Sequence, residues 1–183
     1  MEFKAWPKIT RLENKRVPIF TEKIDGTNAC IVISFESPDE NTIAGNLTEV
    51  GLISMWAQSR SKFITPSSDN YGFARWAANN ATELFKLGEG YHFGEWWGLG
   101  IQRGYDLKEK RFSLFNTRRW GEHNPEMPTC VSAVPMIPAN SWDEARGILI
   151  AKGSFASPGY MRPEGVVMYE PDTDTCFKII IDK

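Results

Sequence analysis

The sequence contains few of the residues that build disulfide frameworks and metal cages. Its 183 residues include three cysteines, Cys30, Cys130 and Cys176, which lie far apart and form no Cys-x-x-Cys pair, and only two isolated histidines. This pattern gives no support to a disulfide scaffold or to a zinc knuckle. Sparse, unpaired cysteines are typical of a protein of the reducing cytoplasm, which is the expected location.

Long apolar runs and an excess of one charge are also missing. The sequence has no run of about 18 apolar residues and no cationic leader before an apolar stretch, so it predicts neither a membrane span nor a secretion signal. The formal net charge of −2 is not that of a typical nucleic-acid binder, which concentrates Lys and Arg. Local basic clusters nevertheless occur, and a site could gather them; they lie at residues 4–16, 60–62, 103–111 and 118–119.

Large apolar side chains are abundant. The hydrophobic fraction is 42%, and 13% of the residues are aromatic, which indicates a folded globular chain with a substantial core. Apolar or alternating runs bounded by Gly, Pro, Asn and Asp predict strands. These runs are 17–24, 29–35, 52–59, 91–97, 112–115, 130–137, 165–169 and 176–181.

Two segments have helical periodicity. Between Asp69 and Gly88 the large apolar residues fall at helical spacing, and Gly88 predicts the stop. The second helix is predicted to begin at Ser141, which forms a capping box with Glu144, and to end at Gly153. Because strands do not strictly alternate with helices, the fold class is expected to be α+β, with antiparallel sheets and flanking helices.

The stretch "TEKIDGTN", residues 21–28, raises a chemical question about Lys23. A turn between strands favours Asp25, which bonds its own backbone, and Gly26, which accepts positive φ, but it has no particular need for a lysine. Lys23 is therefore either a solvated residue of a hairpin turn or a nucleophile, and a lysine attacks phosphorus only as the neutral amine. Lys-x-Asp-Gly alone is too common to decide.

Five further stretches follow "EKIDGTN" in a defined order. With them the sequence resembles the covalent nucleotidyltransferase superfamily of polynucleotide ligases and mRNA capping enzymes, and within it the RNA ligase family. Each stretch alone is common, whereas six in the family's order with family-like spacing are specific. They are "SRSK" at 59–62, "FGEWWG" at 93–98, "FSLFN" at 112–116, "PEGVVMY" at 163–169 and "FKII" at 177–180.

The resemblance implies a nucleotidyltransferase (ATP-grasp-like) catalytic domain of ligases spanning residues 1–183, without the C-terminal OB-type domain of many relatives. It implies three steps: Lys23 attacks the α-phosphate of ATP to form lysyl-AMP, AMP passes to a 5′-phosphate, and a 3′-hydroxyl seals the strand. The implied cofactors are ATP and Mg²⁺ or Mn²⁺. The implied partner is RNA or an RNA-containing nicked duplex in RNA repair, bound by a monomer without a membrane.

The resemblance also assigns roles to polar residues around the nucleotide. Glu22 helps to recognise adenine, and Asn28 lies near the phosphates or the hydrated metal. Arg60 contacts the nucleotide sugar and later the incoming 5′-phosphate, for which a planar guanidinium is well suited. Glu95 accepts a hydrogen bond from a ribose hydroxyl, and Glu164 engages the divalent cation, which commonly needs only one carboxylate.

The last assignments concern adenine and the α-phosphate. Phe115 stacks on adenine in the family's pattern, and Phe112, expected on the same face of that strand, is the other candidate. Many ligases carry two lysines, two residues apart, on the final strand; this chain has Lys178 followed by Ile180. Lys178 must then act alone, or with help from a loop cation such as Arg103 or Lys183.

Other functions remain open from the sequence. A DNA ligase or a GTP-dependent guanylyltransferase belongs to the same superfamily and shares its motifs. A polynucleotide-binding relative that has lost its chemistry is the alternative of a different class, and the missing second lysine supports it. The basic clusters of such a relative would bind the polynucleotide, but the protein would not join its ends.

Overall fold

Two β-sheets, each with helices on its outer side, build the part of the chain that the structure describes. The structure is a computed structural model, and it describes residues 16–121 and 124–181. The strands within these residues are β1 Ile19–Lys23, β2 Thr27–Ser34, β3 Thr42–Thr48, β4 Gly51–Ser59, β5 Phe63–Ile64, β6 Gly90–Gly98, β7 Lys110–Leu114, β8 Val131–Ala133, β9 Gly165–Glu170 and β10 Thr175–Ile180. The helices are α1 Phe73–Asn79, α2 Ala81–Leu84 and α3 Trp142–Lys152, with 3-10 turns at Phe85–Leu87 and Gly104–Asp106.

The small sheet has the strand order β1-β9-β10, and the large sheet has the order β3-β4-β2-β6-β7-β8 with β5 beside β4. All the pairs are antiparallel except β7 and β8, which run parallel. β1 and β2 are neighbours in the chain but belong to different sheets. Lys23 therefore ends a strand of the small sheet, where the chain crosses to the large one, and it does not lie in a hairpin turn.

The predicted helix between Asp69 and Gly88 is divided. α1 ends at Asn79, and Asn80, with φ −108° and ψ 15°, separates it from α2. The Asn80 side chain donates to the Trp76 carbonyl at 2.8 Å, so it competes with the helical backbone. The apolar face still packs as predicted, because Phe73, Ala77 and Leu84 are fully buried against the large sheet.

The second helix follows the prediction. Ser141 accepts a hydrogen bond from the Glu144 amide at 3.2 Å, which satisfies a donor of the first turn. The Glu144 carboxylate accepts from the Asn140 amide and not from the Ser141 amide. Only one of the two hydrogen bonds of the predicted capping box is therefore formed. Ala145 and Leu149 are buried against Phe20 and Val166 of the small sheet, and the helix ends before Gly153.

The sequence pattern did not predict β3 and β5, and it extended β8 too far. β3 contains Gly and Asn and is half exposed, which weakens its pattern at the sheet edge. β8 stops at Ala133 because the chain then leaves the large sheet and runs beside β1. There the Glu22 amide donates to the Pro135 carbonyl at 2.9 Å, and the Ile137 amide donates to the Phe20 carbonyl at 2.8 Å. This segment joins the two sheets.

The apolar core is divided by the sheets into separate clusters. The largest fills the space between the large sheet and α1 and α2, and a second lies between the small sheet and α3. A third, around Ile24, Trp97 and Tyr105, lies at the junction of the sheets. Within the described residues, no helix has the length and the apolar character that crossing a membrane requires.

Candidate active site

A cleft of about 1110 Å³ separates the facing sides of the two sheets. Its volume suits a nucleotide-sized ligand. Most of the site residues that the sequence predicted line this cleft, and they come from both sheets. They are Glu22, Lys23, Asn28, Arg60, Glu95, Phe115 and Lys178. Glu164 is not part of the wall, but it reaches the site through its contact with Lys23.

Lys23 is placed by the end of β1. Its side chain is 22% exposed, and its Nζ lies 2.6 Å from Glu164 Oε2. Glu164 immediately precedes β9, whose first residue, Gly165, pairs with Lys23. The register of the small sheet thus aligns the lysine and the carboxylate, which are 141 positions apart in the chain.

Glu22, the preceding residue, is almost completely buried. Its Oε2 accepts hydrogen bonds from the amides of Phe155 and Ala156 at 2.8 and 2.9 Å. Its Oε1 has no partner among the described residues, and burial raises the pKa of this carboxyl. A buried acceptor without a partner at the wall of a cleft is suited to a ligand that donates a hydrogen bond.

Glu95 lies on β6 and organises the start of β2. Its Oε1 accepts from the Gly26 amide at 3.1 Å, and its Oε2 accepts from the Asn28 side chain at 3.2 Å. Burial raises the pKa of Glu95 to about 7. Asn28, predicted to lie near the phosphates or the metal, is therefore also the partner that orients this carboxylate.

Gly26 is required by the close approach of β6. A Cβ at this position would lie 2.5 Å from the Trp96 carbonyl oxygen and 2.8 Å from the Trp97 Cβ, closer than van der Waals contact allows. The sequence suggested positive φ in a turn as the reason for this glycine, but Gly26 is not among the glycines with positive φ. The structure shows instead that the glycine lets the crossover chain pass against β6.

A network behind Lys23 was not predicted from the sequence. The Asp25 carboxylate accepts from Arg103 Nε at 3.0 Å, and the Asp25 amide donates to the Tyr105 hydroxyl at 2.8 Å. Arg103 also donates to the carbonyl of Arg162, two residues before Glu164, at 2.9 Å. Arg103 therefore links the segment after Lys23 to the segment before Glu164, so its guanidinium already has partners within the protein.

Lys178 and Ile180 both face the cleft side of the small sheet. Lys178 pairs with Val167, and Ile180 pairs with Gly165, which in turn pairs with Lys23. Directly paired residues of antiparallel strands project to the same face. Ile180 thus lies on the same face as Lys23, across Gly165, at the position where the family resemblance led us to expect a second lysine. Lys183 lies outside the described residues.

The two phenylalanines of β7 and its end face opposite sides. Phe115 is exposed and lines the cleft, whereas Phe112 is buried in the core, with its ring 4.9 Å from the ring of Phe73. The expectation that they share a face is wrong, because three positions separate them and side chains alternate along a strand. Among the two candidates, Phe115 is the one that can stack on a base in the cleft.

The basic clusters predicted from the sequence lie in different environments. Arg60 lies in the turn after β4 at the cleft, together with Arg118 and Arg119. Lys110 donates to the Tyr71 carbonyl, and Arg111 pairs with Glu109, so these two are already partnered. Positions 4–15 of the first cluster lie outside the described residues.

The described residues contain no group of three or more His, Cys, Asp or Glu side chains that could enclose a metal ion. Glu164 is a single carboxylate at the cleft, and Mg²⁺ commonly uses one or two carboxylates together with substrate phosphates and water. The residues present therefore fit a divalent cation that arrives with a nucleotide. They do not fit a cation held by protein ligands alone.

Two sheets facing each other across a nucleotide-sized cleft, with a lysine at the crossover between them, define a nucleotidyltransferase-type ligase domain, as predicted. The chain belongs to the RNA ligase family, because the model of that family matches residues 17–180. This match confirms the family resemblance of the sequence motifs. No curated protein in the comparison matches the chain.

Solved structures of mutant RNA ligase from Naegleria gruberi have a similar fold. One, with ATP and Mn, has a TM-score of 0.56 and 20% identity, covering 92% of this chain and 51% of that one. A second, also with ATP and Mn, has a TM-score of 0.58 and 18% identity, covering 91% and 50%. A third, with AMP and Mn, has a TM-score of 0.57 and 19% identity, covering 92% and 51%. The chain thus spans about half the length of these ligases.

Proposed function

We propose that the chain is an ATP-dependent RNA ligase that forms a covalent lysyl-AMP intermediate on Lys23. The observation that carries the proposal is the position of Lys23, which ends β1 at the cleft with its Nζ 2.6 Å from Glu164. Membership of the RNA ligase family supports it. The neighbouring fold, solved with ATP or AMP and Mn, supports ATP and Mg²⁺ or Mn²⁺ as cofactors.

The first step is an in-line displacement at phosphorus. After Lys23 Nζ loses a proton to solvent, its lone pair forms a bond to the α-phosphorus, and the bond from that phosphorus to the bridging oxygen breaks. The nitrogen then loses a second proton to solvent, which leaves the neutral phosphoramidate nitrogen of lysyl-AMP. The electron pair leaves with pyrophosphate. Lys178, on the same side of the small sheet, stabilises the charge on the α-phosphate. Glu164 would hold the divalent cation, which when bound neutralises phosphate charge.

The remaining residues bind and orient the nucleoside. Glu22 Oε1, buried without a partner among the described residues, accepts a hydrogen bond from the adenine amino group. Phe115 stacks on the base, and Glu95 accepts from a ribose hydroxyl while Asn28 holds its other oxygen. Arg60, at the open side, contacts the sugar and then the 5′-phosphate that receives AMP. The last step joins that phosphate to a 3′-hydroxyl and releases AMP.

The proposal predicts that the protein labels itself with α-labelled ATP in the presence of Mg²⁺ or Mn²⁺. Lys23→Ala and Lys23→Arg should abolish the label, because neither provides the attacking amine, whereas Lys62→Ala, at an exposed lysine, should not. Intact mass spectrometry identifies the adduct as AMP. Equal labelling of wild type and Lys23→Ala would contradict the proposal, and preference for GTP would favour a guanylyltransferase.

One observation favours a second function. Ile180 faces the cleft beside Lys23, where a second cation would stabilise the α-phosphate, and this favours a polynucleotide-binding relative without chemistry. Such a protein would bind RNA but carry no AMP. A panel of phosphorylated RNA and DNA ends, presented as single strands and as nicks, separates this function from RNA and DNA ligases.

A further inference from the structure

Exposed aromatic rings extend outward from the cleft along β6. Tyr91 and Phe93 are 61% and 55% exposed, and their rings stack with centroids 6.1 Å apart and an interplanar angle of 15°. Both lie on the same face of the strand as Glu95, since side chains alternate. The Phe115 amide donates to the Phe93 carbonyl at 3.0 Å, which places Phe115 beside this pair at the strand end.

One side of each ring lies beside a small buried cluster. Val32 pairs with Tyr91 and Cys30 pairs with Phe93, and these two residues form the cluster with Trp56. The other side of each ring lines the cleft, and more than half of each residue faces solvent. Contiguous exposed aromatics at the edge of a cleft mark an interaction surface.

Cations lie on the same cleft. Arg60 follows β4, which is separated from β6 only by β2, and Arg118 follows β7, the strand on the other side of β6. Both line the cleft together with the two rings. Aromatic faces combined with arginines are the arrangement that binds single-stranded nucleic acid, because bases stack on the rings and phosphates meet the guanidinium groups.

We propose that Tyr91 and Phe93 form a stacking platform for the unpaired bases of a single-stranded RNA, whose phosphates contact Arg60 and Arg118. The inference rests on the proposed ligase function, and it names the substrate class of that site as single-stranded rather than fully duplex RNA. Bases in a duplex already stack on one another, whereas unpaired bases are free to lie on aromatic side chains.

The test is fluorescence anisotropy with the full chain and a fluorescein-labelled, unstructured RNA of about ten nucleotides, alone or annealed to its complement. The Tyr91→Leu/Phe93→Leu double variant should bind the single strand about tenfold more weakly or worse, because stacking is lost while apolar surface remains. Its affinity for the duplex should change less than about twofold, since phosphate contacts are retained.

Phe177→Leu is the matched control. Phe177 is also an exposed strand phenylalanine, but it is paired with Met168 on the side of the small sheet away from the cleft, so its loss should leave both affinities unchanged. Arg118→Gln should make the fall of log affinity with log salt shallower by about 0.7 for the single strand, because one phosphate contact is lost.

The platform is wrong if the double variant binds the single strand like wild type, if it loses duplex affinity equally, or if Phe177→Leu has the same effect. A large fall in the melting temperature of Tyr91→Leu alone would also overturn it, because the ring would then serve mainly to cover Val32. Self-labelling with ATP needs no RNA. Its absence in wild type would therefore contradict the ligase proposal, whereas a protein that labels but binds no single-stranded RNA would contradict only the platform.

Discussion

Glu22 and Lys23 are adjacent, yet their environments are opposite. Alternation along β1 turns Glu22 towards the segment before β9, where it is buried and accepts two backbone hydrogen bonds, and leaves Lys23 partly exposed at the cleft. The motif predicted that both residues are functional. It did not predict that Oε2 would be bound by the amides of residues 155 and 156, from a distant part of the chain, while Oε1 has no partner among the described residues.

Glu95 should make the stability of the protein depend on pH. Its pKa is raised from 4.5 to about 7 in the folded state, so the folded protein binds more protons than the unfolded chain between these values. The free energy of unfolding should therefore fall as pH rises from about 4.5 to about 7, by up to about 3 kcal/mol from this group. Denaturant titrations of wild type and Glu95→Gln across this range measure the difference.

The variant should gain stability relative to wild type as pH rises, because glutamine does not ionise. Glu40→Gln, at an exposed carboxyl, is the control and should follow the wild-type curve. Parallel curves for wild type and Glu95→Gln would show that burial does not hold the proton on Glu95.

Ile180 offers a test of the missing cation. It flanks Gly165 on the same face as Lys23, so the Ile180→Lys variant would direct an ammonium into the cleft. The rate of self-labelling should rise by about tenfold, as expected for an added group that stabilises phosphate charge. Single-turnover labelling measures the rate, and Phe177→Lys, with the same added charge on the opposite face, should not change it. An unchanged rate for Ile180→Lys would mean that Lys178 suffices.

At the scale of elements, the loop between β6 and β7 has a strained backbone. Gln102, Tyr105 and Asp106 have positive φ of 45°, 53° and 55°, a conformation that costs such residues about 1 kcal/mol or more each. The loop brings the Arg103 side chain and the Tyr105 hydroxyl to Asp25. The contacts of this loop with Asp25 and with the Arg162 carbonyl offset the strain, and we expect them to restrict the movement of the segments next to Lys23 and Glu164.

Arg103→Lys should therefore reduce the labelling rate by about tenfold at saturating ATP, because a lysine lacks the fork that joins Asp25 to the Arg162 carbonyl. Fitting the rate against ATP concentration separates this effect from binding, and KM should change little. Lys108→Gln, at an exposed residue of the same loop, should label like wild type. If the loss in Arg103→Lys equals the fraction of unfolded protein, the residue is structural and does not position Lys23.

The elements that sequence predicted well are those with a strong local pattern. α3 has its cap, its apolar face and its terminal glycine in a single segment, so its limits followed directly. The interruption at Asn80 and the end of β8 at Ala133 were not predicted, because each depends on contacts beyond the local pattern. For β8, the competing partner is β1, more than a hundred residues earlier.

At the scale of the whole molecule, two activities should respond differently to salt. The net charge is −2, and the described cations that face the cleft are few, so RNA contact should neutralise only about 3 to 5 phosphates. Self-labelling should tolerate moderate salt, whereas end joining should be lost first because only joining needs the polynucleotide. Parallel KCl titrations of labelling and of joining, on a single-stranded RNA and on a nicked duplex with an RNA 3′-hydroxyl strand, measure both; a common decline would contradict the separation.

The sequence by itself determined the family, the α+β class and the identity of most residues at the cleft, because six local motifs and the alternation along strands carry that information. Tertiary structure alone decided that β1 and β2 lie in different sheets, so that Lys23 ends at a cleft rather than in a hairpin. It also decided the link from Arg103 to Asp25 and the outward stacking of Tyr91 on Phe93. Strand partners and loop paths depend on contacts between distant segments, which no local pattern specifies.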